Sequence, residues 1–490
     1  MDAVWRFVVW LVILGGMAVL GVLALWLGRG HLPSGRLGRL ARIGRLGAAL
    51  SASWLGAKLR RLFASRAGRA RIDEAQRAAA ARRVAETMGS MKGAFMKLGQ
   101  MMSFISDAVP EQLRAQLKQL QSDAPPMDFA LVRDTVEREL GRPLERAFAR
   151  FDETPLAAAS IGQVHRAMLP SGEDVVVKVQ YPGVAEAIRS DLANAALLQQ
   201  MLRAVYPAHD PAPVIEELRG RIFEELDYVN ELKNVQEFGA LYAGHPFIVI
   251  PRAYPSHSTG KVLTLEYVRG RRFEEVLADP PEQRSRYAEI IFRFVFGTIL
   301  RHRLFNGDPH PGNYLFQDDR VVFLDFGCVK RFPEDMARTW AGLVTAHFAG
   351  DRAAFRAGLV ALKFLKAESP LDADRLYAYF QLFYEPFRFD RDFAFSRAYI
   401  ASTFRQVFTP EGEFAGMAKQ LNMPGHFVFV NRIQWGVFSI LGQLAAHANY
   451  HRIYREYLFG EPPATALGEL AHVHQVERAV SLPADATADA

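Results

Sequence analysis

Three short stretches decide the fold: Val175-Val176-Val177-Lys178, Asp308-Pro309-His310-Pro311-Gly312-Asn313 and Asp325-Phe326-Gly327. The first ends an apolar strand with a lysine whose ammonium can neutralise phosphates. The second is a loop with an acid and, five residues later, an amide; the third puts another acid twelve residues beyond that amide. Phosphoryl transfer needs this set, because the protein mainly positions the nucleotide, holds Mg²⁺ and cancels developing charge. The order and spacing therefore indicate a phosphoryl-transfer site.

The composition is that of a globular chain with room for two domains, or for one domain with large additions. It has 490 residues, of which 50% are hydrophobic, and a net charge of +6. A single cysteine, Cys328, excludes an intramolecular disulfide and fits a reducing compartment. Because it directly follows Asp-Phe-Gly, we interpret it as a small buried or half-buried thiol rather than a redox switch.

The N-terminus carries a candidate membrane anchor. Residues 7–27 are 21 residues without a charge, long enough to span the hydrocarbon core of a bilayer. A signal peptide is the alternative, but its apolar region would be shorter, and no small-x-small cleavage site follows residue 27. Residues 28–72 then hold eleven Lys or Arg and no Asp or Glu. The positive-inside rule therefore predicts a single-pass protein of the cell inner membrane with its catalytic part in the cytoplasm.

The basic stretch has a pattern of its own. Arginines recur every three residues from Arg36 to Arg45, beside leucine and isoleucine, as in an amphipathic helix that lies on anionic membrane lipids. A soluble linker remains open, because Gly38, Gly44 and Gly56 weaken a helix. Nucleic-acid binding is not expected, since a membrane span adjoins the run and no nucleic-acid fold signature is found.

The remaining pattern predicts an α+β, protein-kinase-like fold of two lobes, with an N-terminal helical extension, extra C-terminal helices and the transmembrane helix. Apolar runs at 175–179, 247–250, 262–265, 314–316 and 321–324 predict strands, and most of the chain after residue 270 is otherwise helical. The predicted parts are the anchor (1–30), the basic juxtamembrane segment (31–70), the helical extension (71–150), the N-lobe (151–268), the C-lobe (269–465) and a disordered tail (466–490).

Five motifs together carry a family resemblance over about residues 85–450. They are Lys97-Leu98-Gly99-Gln100, the Ala-rich stretch 157–165 (AAASIGQVH), the stretch 177–183 (VKVQYPG), Glu225-Leu226-Asp227-Tyr228 with Glu231 and Asn234, and the Asp308 and Asp325 loops. With them the chain resembles the UbiB/AarF family of atypical, kinase-like proteins associated with ubiquinone biosynthesis. The resemblance implies ATP or ADP and Mg²⁺ as cofactors.

The candidate residues divide by role. Lys178 and Asp308 are the catalytic candidates: Lys178 would face phosphates, and Asp308 would orient or deprotonate the attacking group. Asn313 and Asp325 would hold Mg²⁺ through hard oxygen atoms. By similarity, Glu231 would pair with Lys178.

The resemblance also implies a nucleotide cradle and a regulatory insert. The cradle would use the Ala-rich loop in place of a Gly-rich one, with a hinge after the 262–265 strand that reads the adenine; its residues are Ala157, Ala158, Ala159, Ser160, Ile161, Gly162, Val164, Glu266, Tyr267 and Val268. Alanines restrict the backbone where glycines would free it, which disfavours ordinary protein-kinase action. In the family, the extension that contains Lys97 and Gln100 folds over the active site, so Lys97 would meet Glu225 and Asp227 there.

Two features depart from the family pattern. Asn306 stands where a histidine is common, which puts in doubt the role of a histidine in supporting the catalytic loop. The span at the N-terminus is not where the family's usual membrane segment lies; the later candidate, residues 427–446, contains polar side chains, and we predict a core helix. His447 and His451 are expected one helical turn apart, but without the glutamate of a His-Glu-x-x-His zinc site.

The sequence thus predicts a membrane-anchored, kinase-like ATPase that supports ubiquinone or isoprenoid-lipid synthesis, with isoprenoid-quinone precursors or quinone-biosynthesis enzymes as partners. The alternatives are a true protein or small-molecule kinase, which the Ala-rich loop disfavours, a nucleotide-binding scaffold without catalysis, and a lipid-binding protein that inherited the fold.

Overall fold

A computed structural model describes residues 127–159, 161–186, 220, 223–408, 412–414, 417–422 and 425–481. The predicted anchor, the basic segment, the first part of the helical extension, Lys97, Gln100 and Ser160 lie outside this part of the chain. The site described below belongs to a compact unit made of Met127–Ala157, Gly162–Pro182 and Phe223–Ala490. Residues 158, 159, 161, 183–186 and 220 are the described members of a second unit.

Two helices precede the sheet, α1 (Phe129–Leu140) and α2 (Leu144–Ala147). The Asp128 side chain caps α1 by accepting from the backbone N–H of Ala130, and Gly141 ends it with a φ of +66°. Val132 and Val136, one turn apart, are fully buried. The predicted helix that stops near Gly141 is confirmed.

The main sheet has five strands: β1 (Arg150–Phe151), β2 (Ala157–Ala158), β3 (Gly162–Met168), β4 (Asp174–Gln180) and β6 (Val262–Glu266). Its long path runs β1-β3-β4-β6, and every neighbouring pair on that path is antiparallel. Alternation along β4 points Val175, Val177 and Val179 to the face that packs on α1 and α2. Lys178 lies on the opposite face.

Helix α3 (Tyr228–Leu241) follows the 223–227 segment. Asp227 caps it by accepting from the N–H of Asn230 at 3.0 Å. Buried positions recur every three or four residues, so one face of the helix is turned inward; they are Tyr228, Glu231, Asn234, Val235 and Phe238. Two polar residues on this inward face are unusual and, as shown below, belong to the site.

The rest of the unit is mainly helical and is built on α5 (Pro281–His302), which is buried from Tyr287 to Ile299. The Phe294 ring of α5 stacks at 3.7 Å between ring centroids on Phe323. The other helices are α4 (Phe273–Val276), α6 (Glu334–Ala349), α7 (Arg352–Ala361), α8 (Ala373–Arg388), α9 (Arg397–Phe408), α10 (Met417–Gln420), α11 (Gly425–Gln443), α12 (Tyr450–Leu458) and α13 (Ala466–Ser481).

Small sheets carry the loops of the site. β7 (Leu304–Asn306) pairs antiparallel with β10 (Val329–Arg331). β9 (Val321–Phe323) lies between β5 (Ile248–Val249), which runs parallel to it, and β8 (Tyr314–Phe316), which runs antiparallel. A further antiparallel pair, β11 (Phe393–Ala394) and β12 (His447–Ala448), lies within the helical part. The predicted strands at 314–316 and 321–324 are confirmed, whereas β3, β7 and β10 were not predicted.

Two sequence predictions were wrong. The 466–490 tail is not disordered throughout, because Ala466–Ser481 forms α13, anchored by buried Leu467 and Ala471. His447 and His451 do not share a helix: the first is in strand β12 and the second in α12, where its Nδ1 contacts the carbonyl oxygen of Phe387 at 2.6 Å.

The later candidate span falls on α11, where Ile433, Val437 and Leu441 are buried in the helical core, as predicted. Within the described ranges, no helix combines the length and the apolar character needed to cross a membrane.

Candidate active site

The lysine of β4 lies at the centre of a buried charge cluster. Its Nζ is 2.8 Å from Oε1 and 3.1 Å from Oε2 of Glu231, and 3.8 Å from Oδ2 of Asp325. The side chains of Lys178, Glu231 and Asp325 are 17%, 2% and 32% exposed. The predicted Lys178–Glu231 pair is therefore present, and the pair adjoins the acid of the Asp-Phe-Gly loop.

Burial and charge act in opposite directions on this cluster. Burial lowers the pKa of Lys178, but the nearby carboxylates of Glu231 and Asp325 outweigh it and raise that pKa well above its usual value. Burial raises the pKa of the Glu231 carboxyl to about 7, and the Lys178 ammonium opposes this rise. The Tyr228 ring, whose centroid is 5.4 Å from Nζ, forms one wall of the cluster. Lys178 is thus a firmly charged ammonium held against two carboxylates.

The Asp-Phe-Gly loop is fixed from both sides. Oδ1 of Asp325 accepts from the N–H of Gly327 at 2.9 Å, and a Cβ on that glycine would lie 3.3 Å from the same oxygen. The fully buried Phe326 ring packs on Phe238 of α3 with 4.9 Å between centroids. Nδ2 of Asn234 donates to the carbonyl oxygen of Phe326 at 2.9 Å. Helix α3 therefore holds the loop as well as the lysine.

The catalytic-loop candidates lie between β7 and β8. Nδ2 of Asn313 donates to the carbonyl oxygen of Asp308 at 3.1 Å and lies 3.5 Å from its Oδ2. The carbonyl oxygen of Asn313 accepts from the N–H of Leu324, next to Asp325, at 3.0 Å. Behind the loop, α11 packs closely on Pro309, since a Cβ on Gly436 would lie 2.4 Å from the proline Cγ. Asp308 and Asn313 are thus one unit, joined to the strand that carries Asp325.

The structure shows what supports the catalytic loop at position 306, where the family commonly has a histidine. Its Oδ1 accepts from the N–H of Asp308 at 3.1 Å, and its Nδ2 donates to the carbonyl oxygen of Asp325. The support expected of a histidine is therefore supplied here by an amide.

The oxygen atoms of this site suit Mg²⁺. The side-chain nitrogen of Asn313 already donates to Asp308, so its side-chain oxygen, Oδ1, is the atom that could face a cation. Asp325 supplies a carboxylate. No group of three or more His, Cys, Asp or Glu that could hold a metal is found among the described residues. Mg²⁺ commonly binds one or two protein oxygens together with water and substrate phosphates, so the donor set fits that ion.

The cradle predicted around the Ala-rich loop is only partly described. Ala157 and Ala158 are exposed in β2, and Ile161 is buried. Gly162 lies inside β3, where an added Cβ would be 2.1 Å from the carbonyl oxygen of Val179. Strand packing therefore requires this glycine, whatever it does for a nucleotide. Half-buried Val164 accepts from the N–H of Leu156 at 2.7 Å. Ala159 is also described, and nucleotide contact remains a prediction for all of these residues.

The predicted hinge follows β6 directly. Exposed Glu266 accepts from the N–H of Arg252 at 3.1 Å, and the N–H of Tyr267 donates to the carbonyl oxygen of Asp174 at 3.0 Å, which ties the segment to β4. Half-buried Val268 comes next. On the other side of the site, Glu225 is half-buried, while Asp227 is exposed and caps α3. The adenine-reading and regulatory roles of these residues stay predictions.

Sequence reasoning missed the connections between the segment after Asp-Phe-Gly and residues 224–237, which include most of α3. Lys330 pairs with Glu224, and Arg331 pairs with Glu237 and lies 3.4 Å from Oδ1 of Asn234. The basic dipeptide three residues beyond Gly327 is the one signal in the sequence for these contacts. Together with the β7–β10 ladder, they fix the start of the segment that leads to α6.

A sheet lysine paired to a helix glutamate, with two acid-bearing loops joined below them, is the arrangement of the kinase class of folds. Residues 119–357 match the family model described as the ABC1 atypical kinase-like domain. The chain therefore carries an ABC1 atypical kinase-like domain, and the resemblance to the UbiB/AarF family is confirmed.

Relatives of known name match over about half of this chain. The chloroplastic protein ACTIVITY OF BC1 COMPLEX KINASE 7 of Arabidopsis thaliana is 37% identical over 238 residues, which are 48% of this chain and 34% of that protein. The mitochondrial atypical kinase COQ8 of Saccharomyces cerevisiae is 32% identical over 273 residues, 55% of this chain and 54% of that protein. The chain thus spans about a third to about half the length of these relatives.

Among solved structures, the complex of Rv3197 with erythromycin from Mycobacterium tuberculosis is similar to this chain. The TM-score is 0.57 at 28% identity, and the match covers 76% of this chain and 95% of that one. The likeness supports the kinase-like fold at the level of the whole domain.

Proposed function

We propose that this protein is a membrane-anchored, atypical kinase-like ATPase that binds Mg-nucleotide and supports ubiquinone or isoprenoid-lipid synthesis. The observation that carries the nucleotide part is the cluster in which Lys178 lies 2.8 Å from Glu231 and 3.8 Å from Asp325. This geometry fixes the direction of an ammonium beside a carboxylate suited to Mg²⁺. The resemblance to the UbiB/AarF family supports the quinone and membrane parts.

The chemistry follows from the positions of these groups. A bound Mg²⁺ would neutralise phosphate oxygens and the charge that develops on them. Lys178 would bind the phosphates from the sheet side. Asp308, held by Asn313, would orient the attacking oxygen and accept its proton as the bond between the γ-phosphorus and its bridging oxygen breaks and ADP leaves.

Water or a small acceptor fits the site better than a protein substrate. Only the six residues 328–333 separate Gly327 from the start of α6. Three of these form β10, which pairs with β7 and is tied to Glu224 through Lys330 and to α3 through Arg331. Such a short, fixed segment offers little surface on which an extended peptide could lie beside Asp308. This supports ATP hydrolysis, or transfer to a small molecule, over a protein kinase.

Phosphate release from Mg-ATP by the full chain, with and without anionic liposomes, tests the proposal. Asp308→Asn and Asp325→Asn should abolish turnover, because each keeps the shape and removes the charge. Asp319→Asn is the matched control, since that carboxylate is 72% exposed and pairs only on the surface with Arg286. It should retain the wild-type rate. Stimulation by liposomes would support action at the membrane.

Other outcomes would favour the alternatives. Radiolabel from γ-labelled ATP that stays on an acceptor would indicate a true kinase. Absence of turnover, with Mg-nucleotide raising the melting temperature of the wild type and not of Asp325→Asn, would indicate a nucleotide-binding scaffold. For the quinone part, normal quinone levels in cells that carry only the Asp325→Asn protein would refute the proposal.

A further inference from the structure

Asn306 lies where three parts of the site meet. It is the last residue of β7, opposite Val329 of β10 in the ladder. Its amide oxygen accepts from the backbone N–H of Asp308, and its amide nitrogen donates to the backbone carbonyl oxygen of Asp325. One side chain therefore joins the residue expected to orient the attacking oxygen to the residue expected to hold the metal.

We propose that Asn306 is a positioning residue that fixes the spacing between the Asp308 loop and the Asp325 loop. The inference deepens the proposed function and rests on it for the catalytic consequence. The bridge itself is a structural feature that can be measured without turnover.

Main-chain hydrogen bonds also join the two loops. The N–H of Gly307 donates to the carbonyl oxygen of Cys328 at 2.6 Å, and the N–H of Leu324 donates to that of Asn313 at 3.0 Å. These bonds keep the loops in place when a side chain changes. The Asn306 bonds act directly on the backbones of Asp308 and Asp325, so their loss should shift those two residues without unfolding the loops.

An amide is suited to this position because it donates and accepts at the same time. Both bonds are made by one side chain, so a substitution that removes the amide removes the two bonds together.

The experiment compares the full-length wild type with Asn306→Ala and the control Asn449→Ala. Asn449 is matched, because its amide also makes two bonds, to the N–H of Arg452 and to Asp390, far along the chain from the catalytic loop. The measurements are kcat and KM for phosphate release from Mg-ATP and hydrogen exchange at the Asp308 amide.

Asn306→Ala should lower kcat about 10- to 100-fold, because small displacements of positioned groups cost rate steeply, while the KM for Mg-ATP changes less. Exchange at the Asp308 amide should be about tenfold faster. Asn449→Ala should match the wild type in both measurements.

A wild-type kcat and an unchanged Asp308 exchange rate in Asn306→Ala would overturn the positioning role. If the wild type shows no turnover, the proposed function fails instead. Exchange at the Asp308 amide in Asn306→Ala then decides the bridge alone.

Discussion

Replacing Lys178 by methionine should expose how much the buried charge cluster depends on one ammonium. Methionine keeps the length of the side chain and removes its charge. Glu231, with a side chain 2% exposed, would then be a buried carboxylate without its cation, and Asp325 would lose the same partner at 3.8 Å. The destabilisation comes from what remains in the protein, since a buried charge that loses its partner keeps its desolvation penalty.

The magnitude follows from the geometry. At 2.8 Å and an effective dielectric constant of ~20, the attraction between Lys178 and Glu231 is about 6 kcal/mol, and desolvation of both groups offsets a large part of it. Breaking a buried pair by removing one partner costs about 3–5 kcal/mol. We expect Lys178→Met to lower the free energy of unfolding by about 3 kcal/mol at pH 7, near the low end, because Glu231 can become protonated.

The sign of the pH dependence is a second test of the same change. Without the ammonium, the pKa of Glu231, already raised by burial to about 7, rises further above the unfolded value of 4.5. The folded state then binds more protons than the unfolded state between these values, so stability falls as the pH rises. The wild type loses stability in the same way up to pH 7, where its own Glu231 has released its proton, and the variant continues to lose stability above that pH. The penalty of Lys178→Met should therefore be smaller at pH 7 than at pH 9.

A double-mutant cycle measured by urea unfolding checks the reasoning. The double mutant Lys178→Met/Glu231→Leu removes both charges. Its loss of unfolding free energy should be about 2–3 kcal/mol smaller than the sum of the losses in the two single mutants. Lys261→Met is the surface control, since that lysine is 59% exposed beside Glu139 and should cost at most about 1 kcal/mol. Strictly additive single changes, or a penalty for Lys178→Met that does not vary with pH, would refute the interpretation.

Two further predictions concern buried positions away from the charge cluster. Both ring nitrogens of His347 are buried without a hydrogen-bond partner, and burial lowers the pKa of this imidazole to about 4, below the unfolded 6.5. Because the unfolded state then binds more protons, the wild type should lose about 2 kcal/mol of unfolding free energy between pH 6.5 and pH 5, and His347→Phe should not. Urea unfolding measures this, and equal pH dependence in both proteins would contradict it. Gly162→Ala should cost about 1–3 kcal/mol or more in the same assay, because its Cβ would meet the carbonyl oxygen of Val179 at 2.1 Å, and wild-type stability would show that β3 can shift freely.

Much of the site could be predicted because its residues lie in apolar strands or directly at their ends. The valine run of β4 fixes which face Lys178 occupies, and the apolar stretches of β8 and β9 place Asn313 and Asp325 at adjacent strand ends. The partner of Lys178 was harder. Glu231 lies 53 residues away, and only the family resemblance suggested it, since no local pattern specifies contacts at that distance.

Strand β3 was missed because its inward side chains are partly polar. Gln163 and His165 are almost fully buried. Oε1 of Gln163 accepts from the N–H of Met127 at 2.9 Å, and Nδ1 of His165 contacts the carbonyl oxygen of Asp152 at 2.8 Å. Polar groups can be buried once their hydrogen bonds are satisfied, but a pattern of hydrophobic residues does not show such partners. Tertiary partners likewise specify the three-residue strands β7 and β10.

The C-terminal helix was missed for a related reason. The composition near the C-terminus suggested a disordered tail from residue 466, yet α13 begins at that residue and packs against the core. Its Gly468 lies close to the buried pair of Arg293 and Glu456, whose side chains are 2.7 Å apart. The Nη2 of Arg293 also donates to the hydroxyl of Thr465, just before the helix, at 2.9 Å. A buried ion pair on other helices thus holds the start of α13. The sequence of residues 466–481 alone does not reveal that partner.

Helix α3 links the two halves of the chemistry. Glu231, Asn234 and Phe238 lie on one face, spaced by three and four residues, and they contact the Lys178 ammonium, the Phe326 carbonyl oxygen and the Phe326 ring. A rotation of the helix by one residue, about 100°, would remove all three contacts together. The lysine that we propose binds phosphate and the loop that we propose binds metal therefore depend on one rigid element, so a ligand or partner that shifts α3 would displace both at once.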